Sequence, residues 1–235
     1  MRVLAFDTAT RATSVALDEF ELRDDPPPGV RPRHTTRLMP LIVEVLERTS
    51  TEWPELDRIA VGVGPGTFTG LRIGVATARA LSRARGIPLV GVSTLESLAL
   101  NAGGGNAERR ADGPEAVVAV LDARRGEVFA AAWELAEPQR QLLAPAPFAP
   151  EELAGRLAEL VPGTLAIGEG AVEFRAVLER AGVLIPADGS TLNRLTAVNH
   201  ARLARTLAAT DPSEIRPDYL RLPDAELTRL RTHRQ

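Results

Sequence analysis

Short apolar runs alternate with helical patterns along most of this chain. Apolar runs of strand length occupy Arg2–Asp7, Ala12–Leu17, Arg58–Gly62, Pro88–Val92, Ala116–Asp122, Glu127–Trp133 and Gly163–Ile167. Apolar residues recur at helical spacing over Thr35–Arg48, Thr69–Arg85, Thr94–Asn101, Ala171–Ala181 and Asn193–Ala209. Strands that alternate with helices in this way are typical of α/β proteins. The proline-rich stretch Asp24–Arg33 is predicted to be a surface loop, because proline is excluded from helix interiors and central strands.

The order of these patterns repeats within the chain. The segment AFDTATRATSVAL matches AVLDARRGEVFAA in outline, and AVGVGPG matches LAIGEG in the same order. Two matches in one order indicate a duplicated architecture. We therefore predict a two-lobed α/β protein of the actin-like ATPase (ASKHA, ribonuclease H-like) type. The first lobe is expected over residues 1–102 and the second over 103–235, joined by a Gly-rich linker, with the helix over 193–209 able to pack back on the first lobe.

The amino-acid composition restricts the possible chemistry of the protein more than it restricts the possible folds. The 235 residues include no cysteine and no lysine, and all 28 basic residues are arginine. Disulfides, thiolate zinc sites, cysteine nucleophiles, Lys-containing phosphate loops and lysine bases are therefore excluded. The three histidines show no metal-binding spacing, so neither catalytic nor metal-ligating residues are predicted. A net charge of −3 argues against tight nucleic-acid binding by the chain alone, and without an apolar run that could span a membrane we expect a cytoplasmic protein.

The segment Gly64–Gly74, GPGTFTGLRIG, allows two interpretations. It could cradle a phosphate, because glycines admit close backbone approach before a helix N-terminus. It could instead serve packing, because Gly70, Gly74 and Ala78 fall four residues apart and give one helix face almost without side chains. Since no lysine accompanies the loop, packing is favoured.

Turns that carry an aspartate follow the first strand of each predicted lobe. Asp7 and Thr8, with Gly64 and Gly66, are the candidates for a cofactor site, because a carboxylate and hydroxyls between two lobes could hold a hydrated metal or a phosphate. The alternative is a solvated turn in which the carboxylate accepts backbone N–H groups. Asp122 in the second lobe presents the same two alternatives.

Six segments together resemble one protein family along nearly the whole chain. They are Leu4–Thr10, His34–Leu41, Gly64–Gly74, Gly91–Leu95, Asp122–Phe129 and Pro217–Arg221. They are similar to the TsaB (YeaZ-like) proteins of bacterial tRNA threonylcarbamoyladenosine synthesis, and the eleven-residue central block is the most specific of them.

The resemblance implies an actin-like fold without its own catalytic role. Such proteins pair with a TsaD-type catalytic subunit, are joined by a TsaE-type ATPase, and reach tRNA indirectly; ATP or ADP and Mg are expected only within that complex. The first two long helices form the dimer surface in the family. The resemblance therefore implies a partner interface on these two helices, formed by Leu38, Leu41, Ile42, Val45, Gly70, Gly74 and Ala78. A small-residue face without its partner also predicts a homodimer of the isolated chain.

Two other functions stay open at this point. A stand-alone nucleotide-dependent phosphotransferase or ATPase of actin-like fold would use Asp7, Asp122 and the two Gly-x-Gly turns. A metalloprotease is disfavoured, because no protease constellation can be assembled from the sequence motifs.

Overall fold

The computed structural model describes residues 1–27, 29–103, 114–137, 140–160 and 163–221. The first half of the chain forms β1 (Val3–Asp7), β2 (Thr13–Leu17), β3 (Phe20–Asp24), α1 (His34–Arg48), β4 (Arg58–Gly64), α2 (Phe68–Arg85), β5 (Leu89–Ser93) and α3 (Thr94–Gly103). The second half forms β6 (Ala116–Arg124), β7 (Glu127–Glu134), β8 (Gln141–Phe148), α4 (Pro150–Ala158), β9 (Leu165–Ile167), α5 (Glu169–Glu173), α6 (Arg175–Glu179) and α7 (Ala197–Ala204). Short 3-10 turns lie at Trp53–Glu55 and Thr191–Asn193.

Two mixed sheets repeat one topology. The first has the order β3-β2-β1-β4-β5 and the second β8-β7-β6-β9. In each sheet an antiparallel meander of three strands is extended by a parallel strand, β4 beside β1 and β9 beside β6. The strand order superimposes β1 on β6 and β4 on β9, which confirms the duplicated two-lobed α/β fold predicted from the sequence.

The first sheet is covered by helices on both faces, and the two faces differ in residue size. Leu4 and Phe6 of β1 point towards α1 and α2 and belong to a core of large side chains. Val3 and Ala5 point the other way, towards α7. The residues on that side are mostly small because the alanines of α7 approach the sheet closely; they are Val3, Ala5, Ala16, Ala60, Val90, Val92, Ala197, Ala201 and Ala204.

The chain exchanges helices between its two lobes. Although α3 directly follows the first sheet, Leu95 and Leu98 pack with Val117 and Leu121 of the second sheet. Conversely, α7 comes late in the chain and packs against β1 and β2 of the first. Most of the predicted linker falls within residues 104–113, which lie outside the described residues. The lobe boundary predicted at residues 102–103 therefore stays a prediction.

Three elements were not predicted, and two helices were predicted too long. The missed elements are β3, β8 and α4. Polar residues interrupt β3, and Pro145 and Pro147 disguise β8, which tolerates them because it lies at the edge of its sheet. The predicted helix over 171–181 is divided at Phe174 into α5 and α6. The helix predicted over 193–209 begins only at Ala197, because the Thr196 side chain caps it by accepting the N–H of Val198.

Candidate functional site

The loop that follows β4 packs against the protein's own backbone. Gly64 has φ +126°, and a Cβ there would lie 2.6 Å from the carbonyl oxygen of Asp218. A Cβ at Gly66 would lie 2.6 Å from the carbonyl oxygen of Ala9. Both glycines are therefore needed for close packing inside this chain, because a side chain at either position would meet backbone.

The small-residue stripe of α2 faces Thr8 in the turn between β1 and β2. The Thr8 hydroxyl donates a hydrogen bond of 2.7 Å to the carbonyl oxygen of Gly70. A Cβ at Gly70 would overlap the Thr8 carbonyl oxygen, and one at Gly74 would lie 2.5 Å from the Thr8 Oγ1. Ala78 is fully buried in the same core. The prediction that Gly70, Gly74 and Ala78 bind a partner's helix is therefore wrong, because they bring α2 close to its own sheet.

The α1 residues predicted to form the interface are buried as well. Leu38, Leu41, Ile42 and Val45 belong to the core between α1, α2 and the first sheet. This prediction is also wrong in its residues, because an amphipathic helix of a folded domain turns its main apolar stripe to its own core.

The opposite sides of the same two helices are exposed and carry apolar residues in their middle turns. Met39 is 40% exposed and Val43 44% exposed on α1. On the neighbouring α2, Ala76 and Ala80 are exposed and Ile73 is half-buried. We call these five residues the α1–α2 surface. The sequence did contain a signal for this orientation, since the large Leu71 and Val75 mark the buried side of α2.

Asp7 lies in a sealed polar cluster, and its side chain is 1% exposed. The alternative interpretation had expected a solvated turn, which this burial contradicts. One carboxylate oxygen accepts the Ala9 N–H at 2.7 Å, the predicted turn contact, and the other lies 3.1 Å from Nε2 of His200. His200 comes from α7, and its Nδ1 lies 2.7 Å from the Ser97 hydroxyl oxygen on α3. Gly62 is required beside this cluster, since a Cβ there would overlap the Asp7 carboxylate.

This cluster contains the residue types of a serine-hydrolase triad, but all three lie buried in the core. They are Ser97, His200 and Asp7. This grouping could not be predicted from the sequence, because the three residues lie about a hundred positions apart and in no motif. Ser97 and His200 are fully buried, so a substrate carbonyl cannot reach the hydroxyl group. The cluster therefore ties α3 and α7 to the end of β1.

The corresponding turn of the second lobe is more open. Asp122 accepts the Arg124 N–H at 2.6 Å, and its second oxygen lies 2.9 Å from the Arg124 guanidinium. Glu169, at the start of α5, lies near this pair. Burial and then the negative charge of Asp122 raise the pKa of Glu169 to about 7, while Arg124 and Arg11 act in the opposite direction. Glu169 therefore changes its charge near neutral pH.

The two aspartate turns meet across the lobes, and the contact between them is apolar. Ala9 of the first turn and Ala123 of the second belong to one buried cluster, together with Leu71. The segment 215–221, which we call the C-terminal strap, closes the same region. Ile215 lies in the core of the first lobe, the Asp218 N–H bonds the Val63 carbonyl at 2.7 Å, and Arg221 reaches Glu127 and the Ala123 carbonyl of the second lobe.

A cluster of three side chains joins the strap to α2, and sequence reasoning missed it. The Arg72 guanidinium carbon lies 3.7 Å from the centre of the Phe68 ring, and its Nε donates to the Tyr219 hydroxyl at 2.9 Å. The rings of Phe68 and Tyr219 lie 5.0 Å apart. Because Tyr219 is so distant in the chain, only the fold brings it to Arg72.

Two further findings concern metal ligands and helix length in the described ranges. Among these residues no group of three or more His, Asp or Glu side chains could hold a metal ion. His34, the first residue of α1, is buried with its Nδ1 2.9 Å from the Thr13 hydroxyl oxygen, and burial lowers its pKa. No described helix combines the length and the apolar character needed to cross a membrane.

Comparisons with known proteins place the chain in a family. The family model for TsaD, tRNA N6-adenosine threonylcarbamoyltransferase, matches residues 25–226. The Escherichia coli tRNA threonylcarbamoyladenosine biosynthesis protein TsaB is 39% identical over 142 residues, which cover 57% of this chain and 55% of that protein. The alignment thus spans only about half the length of that relative.

Solved structures agree over almost the whole chain. A Pseudomonas aeruginosa protein with similarity to the peptidase YeaZ is 28% identical, with a TM-score of 0.75, and the match covers 94% of this chain and 99% of that one. A ROK hexokinase from Thermus thermophilus is 12% identical with a TM-score of 0.50 over 86% of this chain and 98% of its own, which shows the shared actin-like fold alone. The chain therefore belongs to the TsaD family of tRNA N6-adenosine threonylcarbamoyltransferases and, within it, to the TsaB (YeaZ-like) proteins.

Proposed function

We propose that this chain is a non-catalytic subunit of a tRNA threonylcarbamoyladenosine modification complex, in which it binds and supports a TsaD-type catalytic subunit. In this proposal a TsaE-type ATPase joins the pair, tRNA is reached indirectly through the complex, and the assembly works in the cytoplasm. The isolated chain forms a homodimer. Family membership and the name of the E. coli relative support the pathway.

The single observation that carries the proposal is the α1–α2 surface. Met39 and Val43 are large apolar side chains exposed side by side, one helical turn apart. Ala76 and Ala80 are small exposed residues on the neighbouring α2. Exposed apolar side chains beside a flat helix favour close docking of another helix pair, because burial of apolar area stabilises the contact and small residues allow a short distance.

The alternative of a stand-alone nucleotide-dependent phosphotransferase has no comparable support. Its proposed ligand Asp7 is buried, with one carboxylate oxygen bonded to the Ala9 N–H and the other 3.1 Å from His200, and side chains at Gly64 and Gly66 would meet backbone. Calorimetric titration of the isolated chain with Mg-ATP tests it. We expect no binding at micromolar concentrations; micromolar affinity that is lost in Asp7→Ala would establish the alternative.

The docking proposal is tested by mixing the chain with its cognate TsaD-type subunit. Size-exclusion chromatography with light scattering should show a complex, and titration should give its Kd. We expect Val43→Glu and Ala80→Glu each to weaken the complex at least about tenfold, because a carboxylate would be buried in an apolar contact.

Leu184→Glu is the matched control, because Leu184 is a large apolar residue on the second lobe and is 51% exposed. It should leave the Kd unchanged. A wild-type chain that does not associate contradicts the proposed function. Equal loss in all three variants, or loss in Leu184→Glu alone, contradicts the placement of the contact on the α1–α2 surface. The variants that lose the complex should also be monomeric in isolation.

A further inference from the structure

Arg72 is an exposed arginine whose conformation is fixed from two sides. Its guanidinium stacks on the Phe68 ring at 3.7 Å, and its Nε donates to the Tyr219 hydroxyl. Phe68 belongs to the first turn of α2, and Tyr219 belongs to the C-terminal strap. A long side chain on the surface normally samples many rotamers, so a held arginine has already lost the freedom that binding would otherwise remove.

The outward edge of this guanidinium remains available. Within the described part of the chain, neither Nη1 nor Nη2 of Arg72 has a hydrogen-bond or ion-pair partner. The stack occupies one face of the group and Tyr219 occupies Nε, which leaves the two terminal nitrogens and their four N–H groups. Two parallel N–H donors in one plane match the two oxygens of a carboxylate.

Arg72 lies beside the α1–α2 surface and on the same side of α2. Ala76 and Ala80 follow it at intervals of four residues, and all three are exposed. The whole of α2 contains four arginines and no acidic residue. A partner that covers this face therefore meets an apolar strip with a fixed cation at its N-terminal end.

We propose that Arg72 is the charged anchor of the α1–α2 surface and that it binds a carboxylate of the partner protein. This inference rests on the proposed function, since the partner is the protein that docks on that surface. A preorganised arginine at the edge of an apolar contact contributes more than a mobile one, because less rotamer freedom is lost and the bidentate geometry is already set. Phe68 and Tyr219 are positioning residues for it.

A carboxylate fits this site better than a tRNA phosphate does. Phosphate backbones are bound by groups of unpaired cations, whereas Arg72 is one fixed arginine; two basic residues at the boundary with the second lobe are paired, Arg124 with Asp122 and Arg221 with Glu127. Asp218, next to Tyr219, adds an exposed negative charge. The next exposed residues on the same side of α2 are Ala76 and Ala80, and an acidic residue of the strap lies next to the tyrosine that holds Arg72.

The test measures the Kd for the TsaD-type subunit with four variants. We expect Arg72→Ala to weaken binding at least about tenfold, and Arg72→Lys nearly as much, because an ammonium cannot make the bidentate contact. Tyr219→Phe removes one hydroxyl and keeps the ring, so it should weaken binding about three- to fivefold through loss of positioning. Arg180→Ala is the matched control, because Arg180 is an exposed arginine of the second lobe whose Nε is also held, by the Ala176 carbonyl at 3.0 Å; it should change the Kd less than twofold.

The outcomes separate this inference from the proposed function. If the wild-type chain binds and Arg72→Ala and Arg72→Lys bind equally well, the anchor is wrong and the proposed function stands. If the wild-type chain does not bind, both fail. If the protein complex is unaffected but the assembled complex loses tRNA affinity with a smaller salt dependence, the ligand is a phosphate and the carboxylate proposal is overturned. Thermal unfolding of each variant identifies loss of folding, and Tyr219→Phe, the mildest change, keeps the test valid if Arg72→Ala unfolds.

Discussion

The two aspartate turns occupy equivalent positions in the duplicated lobes, yet their surroundings differ. In the first lobe, Asp7 is sealed by His200, and the turn is covered by α2. In the second lobe, Asp122 is partly exposed and bonds mainly to Arg124 of its own turn. The same local motif has thus become part of a core in one lobe and remains a surface turn in the other. Substitutions should therefore have large effects in the first lobe and small ones in the second.

The largest effect is expected for His200→Ala. It removes the imidazole that lies 3.1 Å from one oxygen of the buried Asp7 carboxylate, and leaves a cavity as well. Breaking a buried pair from one side typically lowers the free energy of unfolding by about 3 to 5 kcal/mol. Urea unfolding measures the loss. Adding Asp7→Asn should recover part of it; a double variant that loses the full sum of both single effects would show that the two side chains are not coupled.

The second effect compares two glycines inside helices. Gly70→Ala should lower the free energy of unfolding by about 2 kcal/mol, because the added methyl group overlaps the Thr8 carbonyl oxygen. Gly155 lies within α4 of the second lobe with nothing within 4 Å of an added Cβ. Gly155→Ala should therefore raise stability by about 0.5 to 1 kcal/mol, the difference in helix propensity. Equal signs for the two substitutions would contradict the difference in packing.

The third prediction concerns pH and belongs to the second lobe. The pKa of Glu169 is raised to about 7 from a reference of 4.5, so the unfolded chain ionises this group first as pH rises. Its contribution to stability is therefore complete below pH 4.5 and is lost as pH rises towards and through 7. Glutamine at this position cannot ionise. The stability of Glu169→Gln relative to the wild type should therefore be greater at pH 8 than at pH 4 by about 3 kcal/mol. Thermal unfolding at both pH values checks this, and parallel curves for the two proteins would refute the shift.

The smallest effect is expected for Asp122→Asn. Asparagine can still accept the Arg124 N–H, and the lost ion pair is partly exposed, so stability should fall by less than about 1 kcal/mol. Loss of the Asp122 charge should also lower the pKa of Glu169, because that charge is the second cause of its rise. NMR titration of Glu169 in this variant measures that pKa, and an unchanged value would mean that the Asp122 charge does not contribute to it.

The sequence predicted the two-lobed architecture better than it predicted which sides of the helices are exposed. Strands such as β1 and β6 were evident from apolar runs, and the repeated order was enough for the two-lobed fold. The orientation of α2 was the main error, because Gly70–Gly74–Ala78 and Ala76–Ala80–Ala84 have the same spacing. Only the buried Leu71 and Val75 distinguish the two sides. The Asp7–His200 contact and the Arg72–Tyr219 contact were beyond local patterns, since the members of each pair lie in distant segments.

The packing of α7 has a consequence for synthesis on the ribosome. The strands of the first sheet are complete once Ser93 has emerged, but the helix that covers one face begins only at Ala197. At the usual elongation rate of about 5 to 20 residues per second, that face waits roughly 5 to 20 seconds for its cover. Val3, Ala5 and Val90 stay open to other apolar surfaces during this time. The nascent first lobe therefore carries an uncovered apolar sheet face until translation reaches the late helix.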